Sequence, residues 1–193
     1  ELREELSQLF AAGDSTVVYA TTEPGEALLL GGYTAVLHEG ELLQYGPTAE
    51  VFHAPNSLRV ARAFSDPPMN LVAAQVQGAG LALPGGQVLA LALPAQLAGS
   101  VTLGLRASAL RLQQQPGDVA VAGRVQLSEI SGSDTFVHAE TPWGELVAQI
   151  TGVSYLELGS QVTLYLRPGD AYVFNAAGAL ALAPQRAASA GGR

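Results

Sequence analysis

Cysteine and lysine are both missing from this 193-residue sequence. Without cysteine the chain forms no disulfide, no thiolate zinc site and no cysteine nucleophile. Because all nine basic residues are arginines, the chain also lacks the lysine of a phosphate-binding loop of the G-x-x-x-x-G-K-[ST] type. These residues therefore cannot hold a nucleotide in that way by themselves.

Positive charge and aromatic side chains are scarce as well. The formal net charge is −8, and aromatic residues make up 6% of the chain. Binding to a nucleic-acid backbone needs clustered positive charge, and single-strand binding also needs aromatic platforms. The arginines are instead scattered: Arg3, Arg59, Arg62, Arg106, Arg111, Arg124, Arg167, Arg186 and Arg193. Nucleic acid is therefore not an expected partner.

No hydrophobic stretch is long enough to cross a bilayer. The longest uncharged runs are short or interrupted by Gly, Pro and Gln, whereas a spanning helix needs about 20 apolar residues. No signal peptide is visible, because Leu2, Leu6, Leu9 and Phe10 recur at the spacing of a charged amphipathic helix. The first residue is Glu1 rather than Met, so we expect a processed or truncated chain.

The segment after this helix resembles a strand followed by a second helix. The run Ser15–Thr21 is rich in β-branched residues and predicts a strand covered on both faces. Pro24 fits the first turn of a helix that continues to Leu30, because a first-turn residue needs no N–H donor. Glu23 and Glu26 are interpreted as partners for the free N–H groups of that turn rather than as an acid–base pair.

A hairpin and two short helices complete the first seventy residues. Tyr33–His38 and Glu41–Tyr45 predict two strands joined by the turn Glu39-Gly40. A helix over Thr48–Phe52 and another over Ser57–Phe64 each begin with a capping hydroxyl residue. The order of elements predicts an α/β arrangement for this part.

From Leu71 onward the pattern changes to short β-segments separated by glycine-rich turns. Strands are predicted at Val72–Val76, Val88–Leu93, Thr102–Leu105, Gly123–Ile130, Thr135–Glu140, Glu145–Ile150, Gln161–Leu166 and Ala171–Phe174. Regularly spaced short strands are typical of a small barrel. We therefore predict an α/β part over residues 1–69, an all-β barrel over 70–184 and a disordered tail over 185–193.

Several short motifs, taken in order, resemble one protein family. They are "LREEL" at 2–6, "EGELLQYGPTAEVFHAPNSLRVARAF" at 39–64, "PPMN" at 67–70, "LGLR" at 103–106, "VQLSEISGSDTFVHAE" at 125–140 and "VFNAAGAL" at 173–180. Together they resemble the C-terminal portion of a sugar-importer-type ABC transporter ATP-binding subunit, of the maltose or glycerol-phosphate kind. The resemblance implies the end of an ABC nucleotide-binding domain followed by a regulatory (TOBE) domain with an OB-fold-like barrel.

The resemblance gives a meaning to the predicted strand Ser15–Thr21. In the family this strand ends in a V-T-H-D loop, whose histidine touches the γ-phosphate and the attacking water. Thr22 occupies the histidine position here, and Glu23 follows it. A threonine hydroxyl is shorter and carries no positive charge. The resemblance thus implies a degenerate half-site with no catalytic residue, in a subunit that either pairs with a complete partner or is a slow or inactive homologue.

The resemblance also implies the role of the intact protein. The Walker A, Q-loop, signature and Walker B segments of the family lie before the position of Leu2, so the chain as given is expected to be no enzyme and to hold no cofactor. ATP and Mg²⁺ are expected only for the intact parent. The expected function is homo- or heterodimerisation with an ATP-binding subunit and regulation of ATP-driven import of a sugar or related solute. Permease subunits are expected partners, at the cytoplasmic face of the inner membrane and without direct insertion.

Five residues of the β-domain are regulatory-domain candidates: Arg106, Glu129, Ser131, Gly132 and Asp134. Arg106 is interpreted as a structural ion-pair residue. The last three lie in a segment that is either an ordinary β-turn or an anion-binding turn with free N–H groups. An alternative function is a small-ligand or oxyanion sensor, which would need a pocket lined by N–H groups or arginines.

The three histidines do not predict a metal site. His38, His53 and His138 are far apart in the sequence and lack the spacing of metal ligands.

Overall fold

Three helices and one hairpin form the first part of the structure, a computed structural model that describes residues 16–184. Helix α1 spans Pro24–Leu30 and carries its proline in the first turn, as predicted. Strands β1 (Tyr33–His38) and β2 (Glu41–Pro47) pair antiparallel, and helices α2 (Thr48–His53) and α3 (Leu58–Ala63) follow. No helix among the described residues has the length and apolar content needed to cross a bilayer.

The predicted hairpin is confirmed. Its turn residues Glu39 and Gly40 both have positive φ, 49° and 81°, which is the backbone conformation that a two-residue hairpin turn requires. One face of the hairpin packs against α2 and α3 in a small apolar core. This core contains Val36, Val51, Val60 and Phe64.

One of the two predicted helix caps is confirmed. Ser57 precedes α3, and its Oγ accepts a hydrogen bond from the N–H of Val60 at 3.4 Å. The prediction that Thr48 caps α2 is wrong, because Pro47 holds the cap position. Thr48 is buried, and its hydroxyl donates to the carbonyl of Gly31 at 2.9 Å, which ties the start of α2 to the end of α1.

The predicted strand Ser15–Thr21 is not formed. Residues 16–20 belong to no strand, and Val18 is 93% exposed. A strand of a parallel sheet is held by hydrogen bonds to neighbouring strands, and the described residues place no strand beside this segment. The predicted helix around Leu2–Phe10 and the predicted tail at 185–193 lie outside the described residues.

Two antiparallel sheets make up the rest of the described chain. The strands are β3 (Asn70–Gln77), β4 (Gly80–Ala82), β5 (Val88–Ala90), β6 (Ser100–Leu105), β7 (Leu110–Arg111), β8 (Val119–Ser131), β9 (Asp134–Thr141), β10 (Gly144–Thr151), β11 (Gln161–Leu166), β12 (Tyr172–Phe174) and β13 (Leu180–Leu182). One sheet has the order β10-β9-β8-β11-β7, and the other has the order β13-β12-β6-β3-β4-β5.

The alternation of apolar residues along these strands turns one face of each sheet inward. In β9, Val137 and Ala139 are fully buried while the alternate residues Phe136 and His138 are half-buried, as expected for strands with one covered face. Both sheets contribute to a single core, which also contains Trp143, 5% exposed. The predicted OB-like barrel is confirmed. The sequence pattern missed β4, β7 and β13, which are only two or three residues long.

Helix α3 packs on the outside of the barrel. Ala61 of α3 forms an apolar cluster with Met69, Tyr172 and Phe174. A Cβ atom at Gly104 would lie 2.7 Å from the Met69 sulfur, so the absence of a side chain there permits the close approach of the chain that joins the two parts.

The start of α3 is also bonded to the barrel, through its backbone. The N–H of Leu58 donates to the carbonyl of Gly178 at 2.9 Å, and the N–H of Leu180 donates to the carbonyl of Asn56 at 3.0 Å. The helix is therefore anchored by its first residues as well as by its apolar face.

Candidate functional site at the helix–barrel junction

Arg106 occupies the helix–barrel junction, which we define as the contact of α2 and α3 with Arg106 and Tyr172 of the barrel. Arg106 directly follows β6. Its guanidinium donates hydrogen bonds to the carbonyls of Phe52 (2.6 Å) and Phe64 (2.9 Å) and to the hydroxyls of Ser65 (2.7 Å) and Tyr172 (3.3 Å). One side chain thus joins the ends of both helices to the barrel.

The same guanidinium also contacts aromatic rings. Its central carbon lies 3.8 Å from the ring centroid of Phe52 and 5.4 Å from that of Tyr172, which is within the range of cation–π attraction. The sequence predicted an ion pair for Arg106, but among the described residues its polar partners are carbonyls and hydroxyls. A planar, delocalised cation suits such a site, because it stacks on rings while its N–H groups point outward in the plane.

A cavity of about 260 Å³ opens beside Arg106. Its lining residues are Pro24, Gly25, Leu28, Phe52, Phe64, Ser65, Asp66, Pro67, Arg106, Ala107, Ser108 and Gln149. A second cavity, of about 520 Å³, lies between the loop before β6 and the β12–β13 turn and is lined by no charged side chain. A sensor for oxyanions needs convergent donors, and the one arginine in these two linings already bonds to protein groups.

Thr22 lies in a bend between residues 16–20 and α1, and it is exposed. The neighbouring Thr21 organises the bend: its Oγ1 accepts the N–H of Glu23 at 2.9 Å and donates to a carboxylate oxygen of Glu26 at 2.6 Å. The hydroxyl of Tyr19 donates to the same oxygen at 3.1 Å. Glu26 thus stabilises the bend by accepting both hydroxyl hydrogen bonds. Glu23 occupies the N-cap position of α1, and its side chain makes no capping hydrogen bond there.

The other predicted candidates lie on the β8–β9 hairpin. Ser131, Gly132 and Asp134 form its turn, in which Gly132 has a φ of 61°. The Asp134 carboxylate accepts a hydrogen bond from Gln149 at 3.2 Å, and Gln149 lines the cavity beside Arg106. Ser131 is exposed at the turn.

Glu129 and His138 are diagonal neighbours on the two strands of this hairpin. A Glu129 oxygen lies 4.0 Å from Nε2 of His138, and Nδ1 of the same ring lies 3.2 Å from Glu145. Within the described residues no group of three His, Cys, Asp or Glu side chains has a geometry that could hold a metal ion.

Arg111 of β7 and Asp118, which directly precedes β8, form an ion pair that the sequence pattern did not single out. Asp118 also accepts the N–H of Gln115 at 2.9 Å, and its side chain is inaccessible to solvent. Desolvation alone would raise the pKa of this carboxyl, but the hydrogen bond from Gln115 and the guanidinium of Arg111 outweigh it and hold the pKa below its usual range. A second carboxylate, of Asp170, lies 3.8 Å from Arg111.

Part of the barrel matches a known domain family. Residues 103–174, from β6 to the end of β12, match the TOBE domain family. The match includes Arg106 and the whole β8–β9 hairpin. It ends before β13.

About nine-tenths of the chain is similar to importer subunits. It is 31% identical over 182 residues to the sn-glycerol-3-phosphate import ATP-binding protein UgpC 3 of Agrobacterium fabrum, covering 92% of this chain and 51% of that protein. It is 30% identical over 184 residues to the maltose/maltodextrin import ATP-binding protein MalK of Photorhabdus laumondii, covering 90% and 50%. It is 32% identical over 179 residues to the xylose/arabinose import ATP-binding protein XacK of Haloferax volcanii, covering 89% and 46%.

These relatives confirm the resemblance derived from the motifs. The homologues of this chain are ATP-binding subunits of sugar and glycerol-phosphate importers, and the chain corresponds to their C-terminal, TOBE-containing region. It spans about half the length of the curated relatives it matches.

A solved structure similar to this chain is that of the cytoplasmic molybdate-binding protein ModG with molybdate bound. The two align with a TM-score of 0.46 and 18% identity, over 54% of this chain and 94% of that one.

Proposed function

We propose that this chain is the regulatory, dimer-forming part of the ATP-binding subunit of an ABC importer for a sugar or related solute. The observation that carries the proposal is the continuous similarity of about nine-tenths of the chain to importer ATP-binding subunits. The similarity crosses the helix–barrel junction, so the helices and the barrel are inherited together. In this role the chain acts through contacts with other subunits and not through chemistry of its own.

The outer hairpin face supports assignment to a larger ATP-binding domain. We define this face as Tyr33, Leu37, Leu42 and Tyr45, which are 60–68% exposed. Tyr33 and Tyr45 stack with ring centroids 5.7 Å apart, and Leu37 pairs with Leu42 across the two strands. A two-stranded sheet is only marginally stable alone, and contiguous exposed apolar residues mark a contact surface. We propose that this face packs against the part of the ATP-binding domain that the relatives possess and that this chain does not span.

ATP and Mg²⁺ binding, in this proposal, belong to the intact subunit, and the chain alone turns over no ATP. Thr22 stands where the family resemblance puts a switch histidine, and its exposed hydroxyl carries no charge. The subunit therefore contributes a degenerate half-site to its dimer. The intact subunit would work with permease subunits at the cytoplasmic face of the membrane.

Two measurements test the proposal. Sedimentation equilibrium of the chain should show a concentration-dependent dimer, and the chain should bind a co-expressed first half of the UgpC 3 relative through the outer hairpin face. The test variant is Leu37→Thr with Leu42→Thr, which removes apolar surface. The matched control is Val88→Thr, which changes an apolar residue of the barrel that is also more than half exposed. The proposal would be contradicted if the chain stayed monomeric and also did not bind the co-expressed first half of the relative.

The sensor function remains the alternative prediction. Isothermal titration of the chain with molybdate, phosphate and a sugar phosphate separates the two. Binding that saturates at micromolar ligand would favour the sensor, and no heat at millimolar ligand is expected for a part that acts through subunit contacts.

A further inference from the structure

We propose that Arg106 is a positioning residue that makes the helix–barrel junction rigid, so that α2, α3 and the barrel move as one body. The argument starts from the two helix ends. Residues at the end of a helix have carbonyls without an intrahelical donor, and these need partners from elsewhere.

At both helix ends, prolines remove N–H donors that could otherwise bond to these carbonyls. The carbonyl of Phe52 has Pro55 three residues ahead, and the N–H of Asn56, four residues ahead, already donates to the side chain of Gln44 at 2.8 Å. The carbonyl of Phe64 has Pro67 and Pro68 three and four residues ahead. Because proline has no N–H, the backbone that follows cannot close either helix end in the usual way.

The guanidinium of Arg106 supplies the missing donors to both carbonyls at once. It also bonds to Ser65 and Tyr172, and its face lies over the ring of Phe52. A lysine ammonium has three donors on a single atom and no flat face. Only a planar fork can therefore span two carbonyls that belong to different helices while it stacks on a ring.

The position of this contact decides what it does. Helix α3 is anchored to the barrel at its start by the backbone bonds of Asn56 and Leu58 to Leu180 and Gly178. Arg106 holds its other end, at Phe64 and Ser65. The apolar contact of Ala61 with Met69, Tyr172 and Phe174 lies between these two ends, and it has no fixed direction. Loss of Arg106 thus leaves this apolar contact and the bonds at the start of α3 to hold the helix, and we expect the end of α3 to become mobile relative to the barrel.

The consequence for the subunit rests on the proposed function. When the ATP-binding part moves, the barrel moves with α2 and α3 as one rigid body, because the junction does not bend. In the transport cycle of such a subunit, the parts that move relative to each other are then not the helices α2 and α3 and the barrel.

Spin-label distances in the chain without nucleotide test the junction directly. Because the chain has no cysteine, labels attach only at introduced sites. One pair, Glu50→Cys with Gln161→Cys, spans the junction, and a second pair, Val88→Cys with Gln161→Cys, lies within the barrel. Electron–electron double resonance should give a narrow distribution for both pairs in the otherwise unchanged chain.

Arg106→Gln and Arg106→Lys should both broaden the junction distribution and leave the barrel distribution unchanged. The matched control is Arg59→Gln, because Arg59 is an exposed arginine of α3 that lies 4.0 Å from Glu41 of the hairpin and is not part of the junction bonds. It should change neither pair. If Arg106→Gln does not fold, Phe52→Leu removes the ring beneath the guanidinium, keeps the carbonyl and should broaden the junction pair alone.

Two results would overturn the proposal. An unchanged junction distribution in the Arg106 variants would show that the other anchor suffices. Equal broadening of both pairs would show that Arg106 serves the fold of the barrel and not its attachment. Neither result depends on the proposed function, which is tested by assembly.

Discussion

The side chain of Asn70 pairs with the backbone of Val147 in both directions. Its amide nitrogen donates to the Val147 carbonyl at 2.9 Å, and its oxygen accepts the Val147 N–H at 2.7 Å. Asn70 begins β3 in one sheet, and Val147 lies in β10 of the other. A carboxamide thus imitates the hydrogen bonds of a neighbouring strand and joins the two sheets where the helical part enters the barrel.

Replacing Asn70 by alanine should destabilise the fold strongly. The change leaves a partly buried N–H and carbonyl of Val147 without partners, and each such group costs about 1–3 kcal/mol. We expect a loss of ~2–4 kcal/mol in the free energy of unfolding, measured by urea denaturation. Gln75→Ala is the control, because Gln75 bonds to Ser100 at an exposed position. Equal stability of the two variants would contradict this account of Asn70.

Gly104→Ala should also destabilise the chain, by overpacking. The added methyl would lie 2.7 Å from the Met69 sulfur, 3.0 Å from the Phe174 ring and 3.3 Å from the Tyr172 Cβ. Overpacking of a filled core costs about 1–3 kcal/mol. The control is Gly25→Ala in α1, where an added Cβ meets nothing within 4 Å. The midpoints of thermal unfolding of the two variants are compared. A Gly104→Ala variant as stable as the unchanged chain would show that the structure has room for the added methyl group.

The stability of the barrel should depend on pH through Asp118. Its pKa is lower in the folded state than its ordinary value of 3.8, so the ionised form is favoured by folding. The resulting stability is fully present above the unfolded pKa and is lost as the pH falls through the lower, folded pKa. Asp118→Asn should therefore be less stable than the unchanged chain at pH 7, with a difference that shrinks as the pH falls below 3.8.

Urea unfolding at a series of pH values measures this difference. Asp134→Asn serves as the control, because Asp134 lies at the hairpin turn and, among the described residues, accepts one side-chain hydrogen bond, from Gln149. A pH-independent difference between the Asp118 variant and the unchanged chain would contradict the prediction.

The outer hairpin face should bind hydrophobic dyes in the chain alone. Leu37→Thr and Leu42→Thr replace opposed, exposed leucines by a residue that also favours strands. We expect the free energy of unfolding to change by no more than about 0.5 kcal/mol, as for surface sites in general. The fluorescence of bound anilinonaphthalene sulfonate should fall. If the dye fluorescence did not fall, the dye would bind at a surface other than the outer hairpin face.

Local signals in the sequence predicted the elements that are held by near neighbours. The Glu39-Gly40 turn marked the hairpin, Ser57 marked the start of α3, and alternating apolar residues marked the long barrel strands. The run Ser15–Thr21 has the composition of a buried strand, but a strand forms only beside another, and no neighbour lies among the described residues. Composition alone does not show whether the neighbour is present.

The candidate site was harder to predict because its contacts are distant in the sequence. Arg106 reaches residues 42, 54 and 66 positions away, and no periodic pattern connects them. The motif "LGLR" indicated Arg106 as a position of interest, but not its partners. A signal was nevertheless present: prolines follow both Phe52 and Phe64 at the spacing that removes a helix-closing donor.

Those prolines link the arginine to two places far from it in the chain. Substitutions at Arg106 and at Pro55, Pro67 or Pro68 should show epistasis. A residue with an amide hydrogen at a proline position could donate to the helix-end carbonyl, so that the guanidinium is no longer needed as its donor. Over evolutionary time the arginine and the prolines are thus expected to be kept or lost together, as a single inherited trait.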